Sequence, residues 1–113
     1  MNMVHTTIET KDGWTRMVYH KTCVAEFHPQ STYMQKELAM RAACNGVDYD
    51  IRLNTGGFFT KTTKKRMNQF AEMFDLDFRV FQNKGVWGVD YNRRSNIAVF
   101  TGNTCEFTVS KGR

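Results

Sequence analysis

Short runs of β-branched, aromatic and other apolar residues, separated by polar turns, make up the start of the chain, and this pattern is typical of antiparallel strands. Asp12-Gly13 lies between the first two runs and favours a hairpin, because both residues readily adopt positive φ angles. Pro29 lacks a backbone N–H group and should end the sheet. The strands predicted here are Val4–Thr10, Trp14–His20 and Cys23–Phe27.

Apolar positions then recur at helical spacing, which predicts a helix within Ser31–Val47. Ser31 or Thr32 can cap its start, and Asn45-Gly46 supplies a C-terminal stop. The apolar side of this helix should fill the core. Its central stripe consists of Met34, Leu38 and Ala42.

A second helix is predicted from Thr62 or Thr63 to about Phe74, because apolar residues recur there at positions i, i+3, i+4 and i+7. The apolar stripe should face the core, and the opposite side should be solvated. The stripe consists of Met67, Phe70, Ala71 and Phe74, and the solvated side of Lys65, Asn68, Gln69 and Glu72.

The other apolar runs in the second half of the chain again have the composition of strands. We therefore expect residues 1–113 to form a single α+β domain, a mainly antiparallel β-sheet with two helices packed on it. One segment, Phe58–Lys61, is predicted as a strand or an extended piece. The remaining predicted strands are Asp50–Leu53, Phe78–Gln82, Val86–Tyr91, Ile97–Thr101 and Cys105–Val109.

The composition is that of a folded protein, since 41% of the 113 residues are hydrophobic and one is proline. No apolar run approaches the roughly 20 residues needed to span a bilayer, and the first residues lack the pattern of a secretory signal. The cysteines, Cys23, Cys44 and Cys105, are widely spaced and odd in number. This usage favours a reducing compartment over a disulfide framework.

The charge balance is basic, with 16 Lys or Arg against 11 Asp or Glu and a net charge of +5, which excludes a protein that imitates DNA by presenting carboxylates. Residues 1–57 are neutral overall, so the whole excess lies in residues 58–113. Such asymmetry indicates that the protein binds a polyanion or an acidic surface of a partner. The alternative is a solvated cluster of charges that binds no partner. The densest group of positive charges is Lys61, Lys64, Lys65 and Arg66.

The charges of the second predicted helix oppose its dipole. Three cations, at positions 64–66, lie in the predicted first turn, and Asp75 and Asp77 lie at or beyond the last. Free N–H groups already make a helix N-terminus positive, so cations at this end are unfavourable. An anion docked there would make this placement of the cations favourable. Gly56-Gly57 would allow a close-approaching loop beside it. A nucleotide phosphate loop is excluded, because G-x-x-x-x-G-K-[ST] is absent.

The stretch Lys84–Tyr91 partly matches an RNA-recognition signature, but its central aromatic residue and glycine are transposed. We therefore expect a hairpin strand, with Trp87 and Tyr91 packed in the core.

Patterns typical of metal sites and catalysis are weak. The spacing His20-x2-Cys23-x4-His28 lacks a fourth ligand, so a buried cysteine and surface histidines fit it better than zinc. Asp48 and Asp50 fit a polar strand start better than a divalent-cation site. No catalytic motif is present, and we predict neither an enzyme activity nor a cofactor.

Two runs, NTGGFFTKTTKKRMN at 54–68 and FRVFQNKGVW at 78–87, resemble a group of small uncharacterised tailed-phage proteins. The group has a Gly-Gly-aromatic turn, a Thr-Thr-Lys-x-Arg-Met-Asn helix start and a following hairpin, and YHKT at 19–22 is similar to its first strand end. The segment Ser31–Val47 departs from the group's pattern. The resemblance implies a phage origin and expression in the cytoplasm of the bacterial host, and it implies no particular activity.

The leading hypothesis is a non-enzymatic phage accessory protein that binds nucleic acid mainly through its phosphates. The alternative is a phage-encoded inhibitor of the anti-CRISPR or anti-restriction type, which binds a host nucleic-acid-handling protein complex. A small nuclease that uses Asp48 or Asp50 is a third hypothesis, and no membrane partner is expected. The predicted binding residues are Lys61, Thr63, Lys64, Lys65 and Arg66, with Lys84, Arg93 and Arg94 as extensions.

Overall fold

Antiparallel hairpins and one helix build the described part of the chain. The computed structural model describes residues 5–29 and 47–111. In chain order the elements are β1 (Thr6–Lys11), β2 (Trp14–Tyr19), β3 (Thr22–Pro29), β4 (Val47–Asn54), α1 (Lys61–Met73), β5 (Phe78–Asn83), β6 (Val86–Tyr91), β7 (Asn96–Val99) and β8 (Thr104–Lys111). Five strands form one sheet in the order β1-β2-β3-β4-β8, and three form a second sheet in the order β5-β6-β7.

The five-stranded sheet has an apolar inner face and a charged outer face. Ala25 and Leu53 are paired across β3 and β4 and are buried on the inner face. On the outer face, charges alternate in sign from strand to strand, and Arg52 Nε lies 3.1 Å from Glu106 Oε1. Opposite charges at paired positions favour this register, although each exposed pair adds little stability. The row runs through Glu9, Arg16, Glu26, Arg52 and Glu106.

The three-stranded sheet packs its inner face against the same core. The Phe107 ring of β8 lies 5.3 Å from the Phe78 ring and 4.9 Å from the Tyr91 ring, so aromatic side chains join the two sheets. Asn92, in the turn after β6, donates a hydrogen bond from Nδ2 to the Thr108 carbonyl oxygen at 3.4 Å. This bond connects the turn to the outer edge of β8.

Helix α1 packs its predicted apolar stripe against the core. Met67, Phe70 and Ala71 are buried, which confirms the stripe, and Phe74 is half-buried. The Phe27 ring of β3 lies 5.7 Å from the Phe70 ring and 5.1 Å from the Phe74 ring. Burial of each such ring stabilises the fold by roughly 1.5–3 kcal/mol.

The predicted single sheet with two helices is wrong. The described residues form two sheets and contain one helix, and they still have the composition of a small α+β domain. Apolar patterns locate strands but do not determine which strands share a sheet, and β5, β6 and β7 pair with one another through short turns. The helix predicted within Ser31–Val47 lies outside the described residues, apart from Val47, where β4 begins.

The segment Phe58–Lys61, predicted as a strand or an extended piece, forms no strand. Phe58, Phe59 and Thr60 lie in a loop, and the helix begins at Lys61. Thr60 caps the helix, instead of Thr62 or Thr63, because its hydroxyl oxygen accepts a hydrogen bond from the Thr63 N–H at 3.2 Å.

The predicted hairpin turn at Asp12-Gly13 is confirmed by its backbone angles. Asp12 and Gly13 have φ angles of 54° and 83°, as expected for a tight hairpin turn. Lys84 and Gly85, in the turn between β5 and β6, also have positive φ angles, 52° and 82°. As predicted, Trp87 is buried, and Tyr91 packs against the core.

The side of α1 predicted to be solvated is only partly exposed. Lys65 and Glu72 are exposed, whereas Asn68 and Gln69 are half-buried. Asn68 binds the backbone of β5, so its side chain has a structural partner that helical periodicity does not indicate.

Candidate nucleic-acid interface

The cations of the predicted site are distributed over two turns of α1. Because Thr60 is the cap, Lys61 is the first helical residue, and Lys64 and Lys65 follow one turn later. No acidic side chain lies in the first turn. A helix dipole acts mainly on charges near the terminus, so it affects Lys61 more than the other two lysines.

Arg66 and Thr63, two of the predicted binding residues, are buried. Arg66 is 7% exposed, and its Nε donates a hydrogen bond to Thr6 Oγ1 at 3.1 Å. Its Nη1 donates to Gln69 Oε1 at 2.8 Å, and its guanidinium lies 5.3 Å from the centre of the Tyr19 ring. Arg66 therefore connects α1 to β1 and β2.

Two exposed phenylalanines lie beside the lysines. Phe58 is 62% exposed and Phe59 is 47% exposed, although side chains of this size are usually buried. The Phe59 ring packs edge-on against the Trp87 ring at 5.3 Å, and Lys64 Nζ lies 5.8 Å from the centre of the same ring. The loop therefore presents aromatic and cationic groups together.

The exposure of these two rings was not predicted, because two adjacent phenylalanines are typical of a strand. The signal that could have found them is the preceding Gly56-Gly57 pair. Both glycines have positive φ angles, 64° and 91°, so the chain turns away from the sheet at this point.

Further lysines lie at this end of the molecule. Trp87 follows the Lys84-Gly85 turn by two residues, so its contacts with Phe59 and Lys64 place this turn at the same end of the molecule as the start of α1. Lys21 lies in the turn between β2 and β3, whose flanking residues line a cleft with the first turn of α1. We call this surface the basic end, and it consists of Lys21, Lys61, Lys64, Lys65 and Lys84.

Arg93 and Arg94, which were predicted to extend the site, lie at the opposite end. The Arg93 N–H donates a hydrogen bond to Asp77 Oδ2 at 2.6 Å, and Asp77 follows the C-terminal end of α1. The structure therefore does not bring these arginines together with the lysines at the helix start.

A cleft of about 550 Å³ opens beside the start of α1. Its buried floor includes Val24, Thr55 and Thr63, and exposed residues at its rim include His20, Phe58 and Thr62. Both aliphatic groups and threonine side chains line it. We call it the threonine cleft.

The His and Cys residues of the predicted spacing do not converge. His20 stacks on His5 with ring centres 4.5 Å apart, whereas His28 lies 4.9 Å from the Trp14 ring. Within residues 5–29 and 47–111, no group of three His, Cys, Asp or Glu side chains could hold a metal ion. Asp50 Oδ1 accepts a hydrogen bond from the Thr108 hydroxyl at 3.0 Å.

Two cysteines have weakly acidic thiols. Burial raises the pKa of Cys23 and of Cys105 to about 11, and the neighbouring carboxylates of Glu26 and Glu106 add to the two increases. Both thiols are therefore neutral near pH 7, and a neutral thiol is a poor nucleophile.

Comparison with known proteins gives one family. The sequence model of a family described as Kyanoviridae Gp96 protein matches residues 2–108. The chain belongs to this family. The match supports the predicted origin in a tailed phage, and it brings no activity with it. No curated protein and no solved structure matches the chain.

The described elements include no helix with the length and hydropathy needed to cross a membrane.

Proposed function

We propose that this phage protein is a non-enzymatic nucleic-acid-binding protein, whose basic end holds the phosphates of a single strand. The observation that carries the proposal is that Phe58 and Phe59 are exposed directly before the lysines of α1. Lysines supply affinity for phosphates that is independent of sequence. Exposed aromatic rings stack on unpaired bases, which a duplex does not offer.

The local charge supports this proposal. No acidic residue occurs between Asn54 and Ala71 or between Phe78 and Val89, the segments that supply most of the basic end. Positive charges in such a surface are not neutralised by their neighbours in sequence, so they attract a polyanion over a distance of about 10 Å at moderate salt.

The proposed contact set is smaller than the set predicted from sequence. Thr63 and Arg66 are buried, and Arg93 and Arg94 lie at the other end of the molecule. The phosphate contacts are therefore assigned to the lysines of the basic end, and the base contacts to the two phenylalanines.

Fluorescence anisotropy with a labelled oligothymidylate of about 15 nucleotides tests the proposal at about 50 mM salt. Lys61→Glu combined with Lys65→Glu should abolish most of the binding. Lys11→Glu combined with Arg94→Glu is the matched control, since it makes the same charge change at exposed sites away from the basic end. Absence of binding by the unmodified protein, or equal losses in the two double variants, would contradict the proposal.

A second candidate function is inhibition of a host nucleic-acid-handling complex, and a different surface favours it. Val86, Ile97 and Val99 are exposed large apolar residues on the outer face of the three-stranded sheet. Exposed apolar groups that lie together often mark a protein-binding site.

A pull-down from nuclease-treated host lysate distinguishes this second function from the first. An inhibitor should retain a stoichiometric protein partner, and Ile97→Lys should abolish the capture while Lys65→Glu leaves it intact. Loss of all captured protein after nuclease treatment would contradict the inhibitor function and agree with direct binding of nucleic acid.

A further inference from the structure

The threonine cleft has the size and lining of a small-molecule site that can admit a planar ring. Its volume of about 550 Å³ lies within the range of roughly 300–1,000 Å³ that small-molecule pockets occupy. Val24 supplies an aliphatic floor, and aromatic rings of Tyr19 and Phe58 form part of the lining. A planar ring that enters the cleft would therefore move from water to a mostly apolar surface.

Polar groups in the cleft suit the edge of a nucleobase. The threonines at its floor and rim carry hydroxyl groups, which can both donate and accept hydrogen bonds. Three of these hydroxyls are held in place, because Thr60 Oγ1 donates to Thr63 Oγ1 at 3.1 Å and Thr55 Oγ1 accepts from the Gly57 N–H at 3.1 Å. A base edge would meet fixed polar atoms above an apolar floor.

The cleft also lies directly beside the proposed path of the phosphates. Thr60, Thr62 and Thr63 line it, and Lys61 and Lys64 occupy neighbouring positions in the same turns of α1. A nucleotide whose base enters the cleft would therefore place its phosphate near lysine side chains.

We propose that the threonine cleft binds one nucleobase of a single-stranded nucleic acid. The proposal rests on the function proposed above, and it adds a specific base site to the phosphate contacts. A base in a duplex is paired and stacked, so it cannot enter the cleft without being unpaired. The cleft would give the protein a preference for single strands.

Three probes of equal length separate the base site from the phosphate contacts: oligothymidylate, an abasic single strand and a duplex. The unmodified protein should bind oligothymidylate about tenfold or more tightly than the abasic strand. Val24→Phe fills the cleft from its floor, so it should reduce this advantage by at least about threefold and leave the affinity for the abasic strand unchanged, and stacking on the exposed phenylalanines supplies the advantage that remains. Thr10→Phe adds a ring at an exposed strand position outside the cleft and should change neither affinity.

A second variant guards against misfolding of the first. Thr62→Phe fills the rim from an exposed helical position, where the core is not disturbed, and should have the same effect as Val24→Phe. An undiminished oligothymidylate advantage in a folded variant of either kind would overturn the base site while the proposed function stands. Equal binding of the oligothymidylate and abasic strands by the unmodified protein would overturn the base site and the base contacts of the phenylalanines, and would leave only phosphate binding by the basic end. Absence of binding to every probe would overturn both proposals.

Discussion

The side-chain amide of Asn68 pairs with both backbone groups of Val80. Its Oδ1 accepts a hydrogen bond from the Val80 N–H at 2.7 Å, and its Nδ2 donates to the Val80 carbonyl oxygen at 3.1 Å. Val80 lies in β5, an edge strand of the small sheet. A residue of α1 thus replaces the missing neighbouring strand, and edge strands without such cover tend to pair with other chains.

Replacement of Asn68 should destabilise the protein. Asn68→Leu leaves the Val80 N–H and carbonyl groups without these partners, so we expect the free energy of unfolding to fall by about 1–3 kcal/mol. Urea denaturation measures this change. Lys65→Leu, on the exposed side of the same helix, is the control and should shift stability by less than about 0.5 kcal/mol. Equal stability of the two variants would show that the Asn68 pairing contributes nothing.

Arg66 should contribute to stability through its planar guanidinium group. Arg66→Met removes the bonds to Thr6 and Gln69 and the cation–π contact with Tyr19, so we expect the free energy of unfolding to fall by about 2–3 kcal/mol in chemical denaturation. Arg66→Lys should recover little of this loss, because an ammonium group cannot make both bonds in the same geometry. Full recovery by lysine would mean that charge alone matters at this position.

Gly56 and Gly57 provide a matched pair of substitutions. Both have positive φ, but a Cβ atom at Gly56 would lie 2.8 Å from Thr22 Cγ2, whereas a Cβ at Gly57 would meet nothing within 4 Å. Gly57→Ala should therefore cost about 1–2 kcal/mol of backbone strain alone. Gly56→Ala should cost about 1 kcal/mol more, because of the added clash. Thermal unfolding of the two variants gives the difference, and a larger loss at Gly57 would contradict the packing around Thr22.

The buried thiols predict a loss of stability at alkaline pH. The folded protein raises the pKa of Cys23 and Cys105 from 9.0 to about 11, so it holds their protons more tightly than the unfolded chain does. The contribution of the two thiols to the free energy of unfolding is complete below pH 9 and is lost as the pH rises from about 9 to 11. Urea denaturation across this range should show a decrease that is smaller in Cys105→Ala than in the unmodified protein. A decrease of the same size in both would exclude a part for Cys105.

Local patterns in the sequence predicted most of the individual elements. The strand Val86–Tyr91 and the stripe of α1 were found because burial of one face imposes a regular spacing of apolar residues. Periodicity says nothing about the partner of each strand, so the division into two sheets was not foreseen.

The candidate site was predictable in part, for a similar reason. The cluster of cations is visible in sequence, but the start of α1 at Lys61 and the burial of Arg66 depend on contacts with Thr60, Thr6 and Tyr19. The exposure of Phe58 depends on a turn that precedes it. Tertiary contacts therefore decide which of the predicted residues reach the surface.

The salt dependence of single-strand binding tests the central claim most directly. With five lysines on phosphates, the logarithm of the affinity of the unmodified protein for oligothymidylate should fall against the logarithm of salt concentration with a slope of about −3.5. Lys61→Ala combined with Lys65→Ala should reduce the steepness of this slope by about 1.4, since two of the contacts are removed. A slope near zero, or an unchanged slope in the double variant, would contradict the assignment of phosphate binding to the basic end.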